Sequence, residues 1–137
     1  MRRTKEEYHD IIIHRSNHKL SGGVRFTLRA EGIALAAICI AAYTQLGGSW
    51  GFFALLILAP DVFMIGYLLG NRLGALVYNI GHSTLIPAAL GILGFSMDAQ
   101  AMIGLALIWG AHIGIDRALG YGLKYAAGFK ETHLERV

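Results

Sequence analysis

The chain has 137 residues, 55% hydrophobic and 15% charged, with 18 glycines, 2 prolines and a formal net charge of +3. A soluble domain carries nearer a quarter of its residues as Asp, Glu, Lys and Arg, so the composition argues against one. Cys39 is alone, which excludes an intrachain disulfide framework, and seven of the twelve basic residues precede the first apolar run rather than forming a patch on a folded surface, which argues against nucleic acid.

The charge distribution is more informative than the total. From Gly32 to Ile115 only Asp61, Arg72 and Asp98 are charged. The expectation is therefore an all-α, four-transmembrane-helix antiparallel bundle, with polar ends flanking a long apolar middle.

Residues 1–28 form a basic cytoplasmic or interfacial segment, attracted to anionic lipid head groups. Asp10, His14 and His18 share a face if that segment is helical, a spacing open to metal. Ile11-Ile12-Ile13 and Ser16-Asn17 weaken a continuous helix there, and His9 has no assigned role. The transmembrane domain covers residues 29–120, with spans near 29–47, 49–70, 73–95 and 100–120. Short turns at Gly47-Gly48-Ser49, Gly70-Asn71-Arg72 and Ser96-Met97-Asp98-Ala99 join them. Pro60 and Pro87 each free a carbonyl one turn back, which predicts kinks in the second and third spans. Residues 121–137 alternate aromatics with lysines, as an interfacial tail does.

Orientation follows from the basic residues. Seven precede the first span, Arg72 lies in the second turn, and none lies in the first or third turn. This places both termini in the cytoplasm and the chain as a multi-pass protein in the inner membrane. Glycine-rich faces leave homo-oligomerisation open.

A few polar groups remain inside the apolar segments: Asp61, Asn79, His82, Ser83, His112 and Asp116. A central Asp opposes insertion by about 2.5 to 3.5 kcal/mol, whereas each Leu, Ile, Phe or Val favours it by about 0.3 to 0.6 kcal/mol. The second span has eleven such residues and can insert, but the carboxylate still needs a partner. Measured from the cytoplasmic side at about 1.5 Å per residue, Asp61, His82 and His112 all lie roughly 12 to 15 Å deep. Asp116 is one turn beyond His112 on the same face, which Trp109 shares, and Gly110 and Gly114 lie about half a turn away, free for close helix packing.

Several chemistries fit this set. Asp61, His82, His112 and Asp116 make a two-His, two-carboxylate site suited to zinc, iron or manganese, with Asn79, Ser83 and Glu31 as outer support. His82 and His112 alone match a bis-His haem, which leaves the aspartates without a role. A proton or ion path and a hydrogen-bonded lock between helices also use these residues. Arg117, Lys124 and Lys130 are candidates for contacting an anionic head group.

The ordered runs Leu58-Ala59-Pro60-Asp61, Met64-Ile65-Gly66-Tyr67, Tyr78-Asn79-Ile80-Gly81-His82-Ser83, Ala111-His112-Ile113-Gly114-Ile115-Asp116-Arg117 and Gly120-Tyr121-Gly122-Leu123-Lys124-Tyr125 resemble the small bacterial four-helix integral membrane proteins of domain-of-unknown-function family 4260. Gly128-Phe129-Lys130 and Thr132-His133-Leu134 extend the likeness, which covers about residues 29–135. It implies a four-helix membrane protein and supplies no reaction.

A looser likeness is to membrane-bound metal-dependent hydrolases. Their order of Pro-Asp, His-Ser, then His with Asp four residues later and Gly is similar to Pro60-Asp61, His82-Ser83 and His112/Asp116/Gly120. Phe63 and Val77 stand where those hydrolases carry a second Asp and a second His. This resemblance implies metal-dependent hydrolysis of a membrane-associated ester or phosphoester.

Overall fold

The computed structural model describes residues 5–126, Thr132 and Leu134, with side chains from Gly22 onward. The described residues are helical, without a strand: α1 (Lys5–Gln45), α2 (Trp50–Leu56), a 3-10 helix (Ala59–Leu69), α3 (Asn71–Gly81), α4 (Leu85–Ser96) and α5 (Gln100–Leu119). Four stretches are long and apolar enough to cross a membrane: Gly22–Gln45, Trp50–Leu69, Asn71–Ser96 and Gln100–Leu119. Large apolar side chains such as Phe26, Leu55, Leu68, Ile92 and Phe95 stand exposed around them, as a lipid-facing surface requires.

The turns fall where glycine and aspartate permit them. Gly47 and Gly70 take positive φ, and Asp98 (φ 52°) occupies the left-handed region that Asp tolerates better than most residues. The first helix departs from expectation: α1 begins at Lys5 and runs unbroken through Ile11–Ile13 and Ser16-Asn17. Isoleucine lowers helix propensity only slightly, too little to interrupt a 41-residue helix. The side chains of His9, His14 and His18 lie outside the described residues.

The second and third spans are discontinuous. Pro60 has no N–H and its ring opposes the carbonyl four residues back, and that residue, Leu56, is the last of α2. The chain resumes as a 3-10 helix with Pro60 in its first turn. Eleven residues in this geometry cover about 22 Å, against about 16 Å as an α-helix. In the third span the break falls at His82–Thr84, and Pro87 sits in the first turn of α4, a position that needs no N–H partner. Both prolines therefore end and restart helices, where the sequence had suggested kinks within continuous ones.

Helix α5 is the core element. Ala106, Ile108, Ala111, His112 and Ile113 are buried along it, Ala111 completely. α1 and α4 pack on it, while the 3-10 helix packs on α3. Small residues set the α1–α5 distance. A Cβ on Gly114 would lie 2.6 Å from the Ala36 nitrogen, one on Gly32 would lie 2.7 Å from the Ala118 nitrogen, and one on Gly110 would meet the Cys39 sulfur. The Gly110/Gly114 face therefore packs on α1, leaving the His112 face for the other spans. Arg29 closes the same interface by donating its Nε–H to the Ala118 carbonyl at 2.8 Å, near the carboxyl end of α5.

After α5 the chain reverses at Gly120, which takes φ 98°, with Gly120 N–H donating to Arg117 O and Tyr121 N–H to Asp116 O. This is a Schellman turn. The following segment lies back against α3, where Asn79 holds Lys124 at two points: its amide donates to the Lys124 carbonyl at 2.8 Å and its oxygen accepts the Lys124 N–H at 2.7 Å. Lys124 bridges to Thr132, and Thr132 and Leu134 are buried. The tail is thus docked at these points.

Candidate metal centre

Each break in the spans delivers one side chain to a common point. Asp61 follows Pro60 in the first turn of the 3-10 helix, and its N–H donates to Leu58 O at 3.1 Å. His82 caps α3 with φ −105° and ψ 9°, so its ring leaves the helix at the break. His112 and Asp116 project one turn apart from the continuous α5. Irregular backbone at membrane depth is tolerated where it lines a polar site, and discontinuous transmembrane helices serve that purpose elsewhere.

The four side chains converge closely. His82 Nε2 lies 3.4 Å from Asp61 Oδ1, 3.6 Å from Asp116 Oδ2 and 3.2 Å from His112 Nε2. His112 Nε2 lies 3.6 Å from both Asp61 Oδ1 and Asp116 Oδ2. One ligand atom from each residue can be chosen so that all lie within 4.8 Å of one another. Metal bonds of about 2.0 to 2.1 Å give a tetrahedron with edges of about 3.3 to 3.4 Å. The five separations that involve a histidine nitrogen, 3.2 to 3.6 Å, lie near that value, so two imidazoles and two carboxylates form a cluster that could hold a metal ion.

Neighbouring groups fix the orientation of His82. Its Nδ1 lies 3.0 Å from the Tyr78 carbonyl, which can only accept, so Nδ1 carries the proton and Nε2 presents a lone pair to the cluster. The Tyr78 ring stacks on the imidazole at 3.8 Å and 12°. Trp109 donates its indole N–H to the Gly81 carbonyl at 2.7 Å, tying α5 to the residue before His82. Such contacts around a metal-binding imidazole hold its tautomer and angle. Access is one-sided: the histidine side chains are 4–5% exposed, while Asp61 is 35% and Asp116 21% exposed.

The expected site is thus assembled, but its expected support is placed differently. Asn79 is spent on the Lys124 backbone, and the Ser83 hydroxyl accepts the Leu85 N–H at the start of α4, so both shape the neighbourhood without touching the cluster. Glu31 is exposed on α1, outside the ligand group. Arg117 lines a small cleft beside the centre with Tyr78, His82, Asp116 and Tyr121. Lys124 is buried, its ammonium 4.3 Å from the Tyr78 ring centroid. Lys130 lies outside the described residues.

The arrangement does not favour the haem alternative. Axial ligands on opposite sides of an iron need imidazole nitrogens about 4 Å apart at bonds of about 2.0 Å, with a macrocycle between the rings. Here the nitrogens are 3.2 Å apart, with carboxylates beside them.

Two supporting residues, Tyr78 and Trp109, gain roles that sequence reasoning left open. The signals were present: Tyr78 is four residues before His82, and Trp109 shares the His112 face. Phe63, at the position where the hydrolases carry an additional Asp, packs its ring against Trp109 at 5.9 Å. That position serves packing here.

No curated protein and no solved structure matches the chain. A family model described as "Domain of unknown function (DUF4260)" matches residues 25–137, more than three quarters of the sequence, and the chain belongs to that family.

Proposed function

We propose that the protein is a metal-dependent hydrolase of the inner membrane, built as an antiparallel four-span bundle with both termini in the cytoplasm. The observation that carries the metal is the convergence of Asp61, His82, His112 and Asp116, contributed by three separate spans, with one ligand atom from each within 4.8 Å of the others. The orientation rests on the basic residues before the first span and in the Gly70–Arg72 turn, against none at Gly47–Ser49 or Ser96–Ala99.

A bound zinc, iron or manganese ion supplies Lewis acidity and a water nucleophile near neutral pH. The chain's residues provide the remainder. The buried imidazoles hold the closed side, and the half-exposed Asp61 and Asp116 mark the side from which water and substrate reach the centre. Arg117, in the adjoining cleft, is placed to receive an anionic group of a membrane-associated ester or phosphoester.

Elemental analysis of the purified protein tests the metal: about one ion per chain is expected, falling below a tenth in His112→Ala, and no stoichiometric metal in the parent overturns the reading. Hydrolysis of p-nitrophenyl butyrate, abolished by chelation and restored by zinc, iron or manganese, tests the reaction. A metal-loaded protein inert toward this ester and toward bis-p-nitrophenyl phosphate would leave a binding protein and remove the enzyme.

A further inference from the structure

We infer that the centre acts on an amphiphile lying along α5, with its hydrocarbon chain in a groove between α1, α2 and α5 and its polar end toward the exposed edges of Asp61 and Asp116, near Arg117. The claim about the reacting end rests on the metal-dependent reading above; occupancy of the groove does not. The groove has a volume of about 470 Å³ and is lined by Tyr43, Leu46, Phe52, Leu56, Leu105 and Ile108 among others. That volume is within the range of small-molecule sites, and the lining side chains named are apolar or aromatic. Its walls belong to stretches able to span a membrane, where the solvent that fills an open apolar groove is lipid hydrocarbon.

The order along α5 ties this groove to the centre. Groove residues run from Gln100 to Ile108, the ligands follow at His112 and Asp116, and the cleft uses Asp116 and Arg117 before continuing to Tyr121 and Leu123. Ile108 is four residues, about 6 Å, from His112 on the same side of the helix. On this inference a chain seated in the groove extends along α5 toward the donor set, with any anionic head near Arg117. A second apolar groove of about 440 Å³, lined by Leu35, Pro87, Gly91, Ile103 and Leu107, includes Gly110, which is about 200° around α5 from His112. Its α5 residues lie on the opposite side of the helix from His112, although Thr84 near the α3–α4 break also lines it, and it serves as a control.

Gly104 permits a clean test, because a Cβ there meets only Leu46 and Tyr43, each at 3.6 Å, an ordinary contact. A leucine at this position starts from a Cβ that meets no backbone and directs its bulk into the groove lining. The full chain is purified from vesicles of 1-palmitoyl-2-oleoyl phosphatidylglycerol, and retained lipid and metal per chain are measured by native mass spectrometry and elemental analysis. The parent is expected to keep one lipid, Gly104→Leu to lower retention at least tenfold with metal unchanged, and Gly91→Leu in the control groove to leave both unchanged. If Gly104→Leu does not fold, Leu105→Phe on the same lining carries the same expectation.

Arg117→Ala is expected to weaken retention of phosphatidylglycerol severalfold and that of diacylglycerol not at all. A parent that keeps no lipid, or a Gly104→Leu that keeps as much as the parent, overturns the groove. Equal losses in Gly104→Leu and Gly91→Leu mean unspecific lipid and overturn it as well. Unchanged phosphatidylglycerol retention in Arg117→Ala overturns the head-group placement. Lipid without metal removes the metal centre while the groove stands, and metal without lipid does the reverse.

Discussion

The α1–α5 pair and the hairpin of the 3-10 helix and α3 reach close packing by different routes. In the first, continuous helices approach until backbone meets backbone at Gly32 and Gly114. In the second, glycines accept side chains: Gly66 faces Val77, Gly74 faces the Tyr67 ring and Gly81 faces the Phe63 ring. The second and third spans are also broken at the level of the cluster, where α5 is not. A rigid seam thus fixes His112 and Asp116, while adjustable backbone brings Asp61 and His82 to them. Precision at a polar site needs only one continuous helix as its reference.

This contrast is most sharply broken at the seam. Gly114→Leu places side-chain atoms against α1 backbone that cannot yield, and is expected to cost about 3 kcal/mol or more, read as loss of the monodisperse folded species or a large fall in Tm in detergent. Gly66→Ala adds a single carbon 2.8 Å from the Val77 Cβ, which must shift with its β-branched side chain, and is expected to cost about 1 to 3 kcal/mol, less than Gly114→Leu. Equal effects of the two would erase the distinction between seam and hairpin.

Within the centre the expected order runs from ligand to support. His112→Ala should lower metal affinity by well over a hundredfold in competition with a chromophoric chelator, since it removes a donor outright. Trp109→Phe keeps the ring packing but leaves the Gly81 carbonyl without its donor, so a loss of about ten- to a hundredfold in affinity is expected, together with about 1 to 3 kcal/mol in stability. Metal binding unchanged in Trp109→Phe would show that the α3 break is held by something other than this bond.

The smallest effect is expected in the docked tail. Asn79→Ala removes both bonds to Lys124, and faster amide exchange at Lys124 with a stability loss of roughly 1 to 2 kcal/mol should follow, with metal affinity within about threefold of the parent. A large fall in metal affinity would mean that the tail supports the ligands directly.

What could be read from the chain alone follows the range of the interactions. The four spans and the shared level of Asp61, His82 and His112 were legible because helix rise converts residue number into depth. The helix break at Leu56 was half legible: Pro60 marks it, but no local signal distinguishes a kink from a restart in 3-10 form. The break at His82 depends on the ring leaving α3 toward ligands on other spans. The burial of Lys124 and its clamp by Asn79 join residues 45 apart, and nothing near either one announces the other.

The 3-10 helix has a consequence for how this span tolerates change. With three residues per turn, side chains three apart stand in line along the axis rather than drifting around it. Val62, Ile65 and Leu68 form such a line, each more than 60% exposed, while Phe63 and Gly66 on the next line face the protein. Permissive positions in a mutational scan should therefore recur every third residue through this stretch, and every three to four residues on α5. A hydrophobic pattern sought at helical period 3.6 will blur here, and the blur itself marks the segment that carries Asp61.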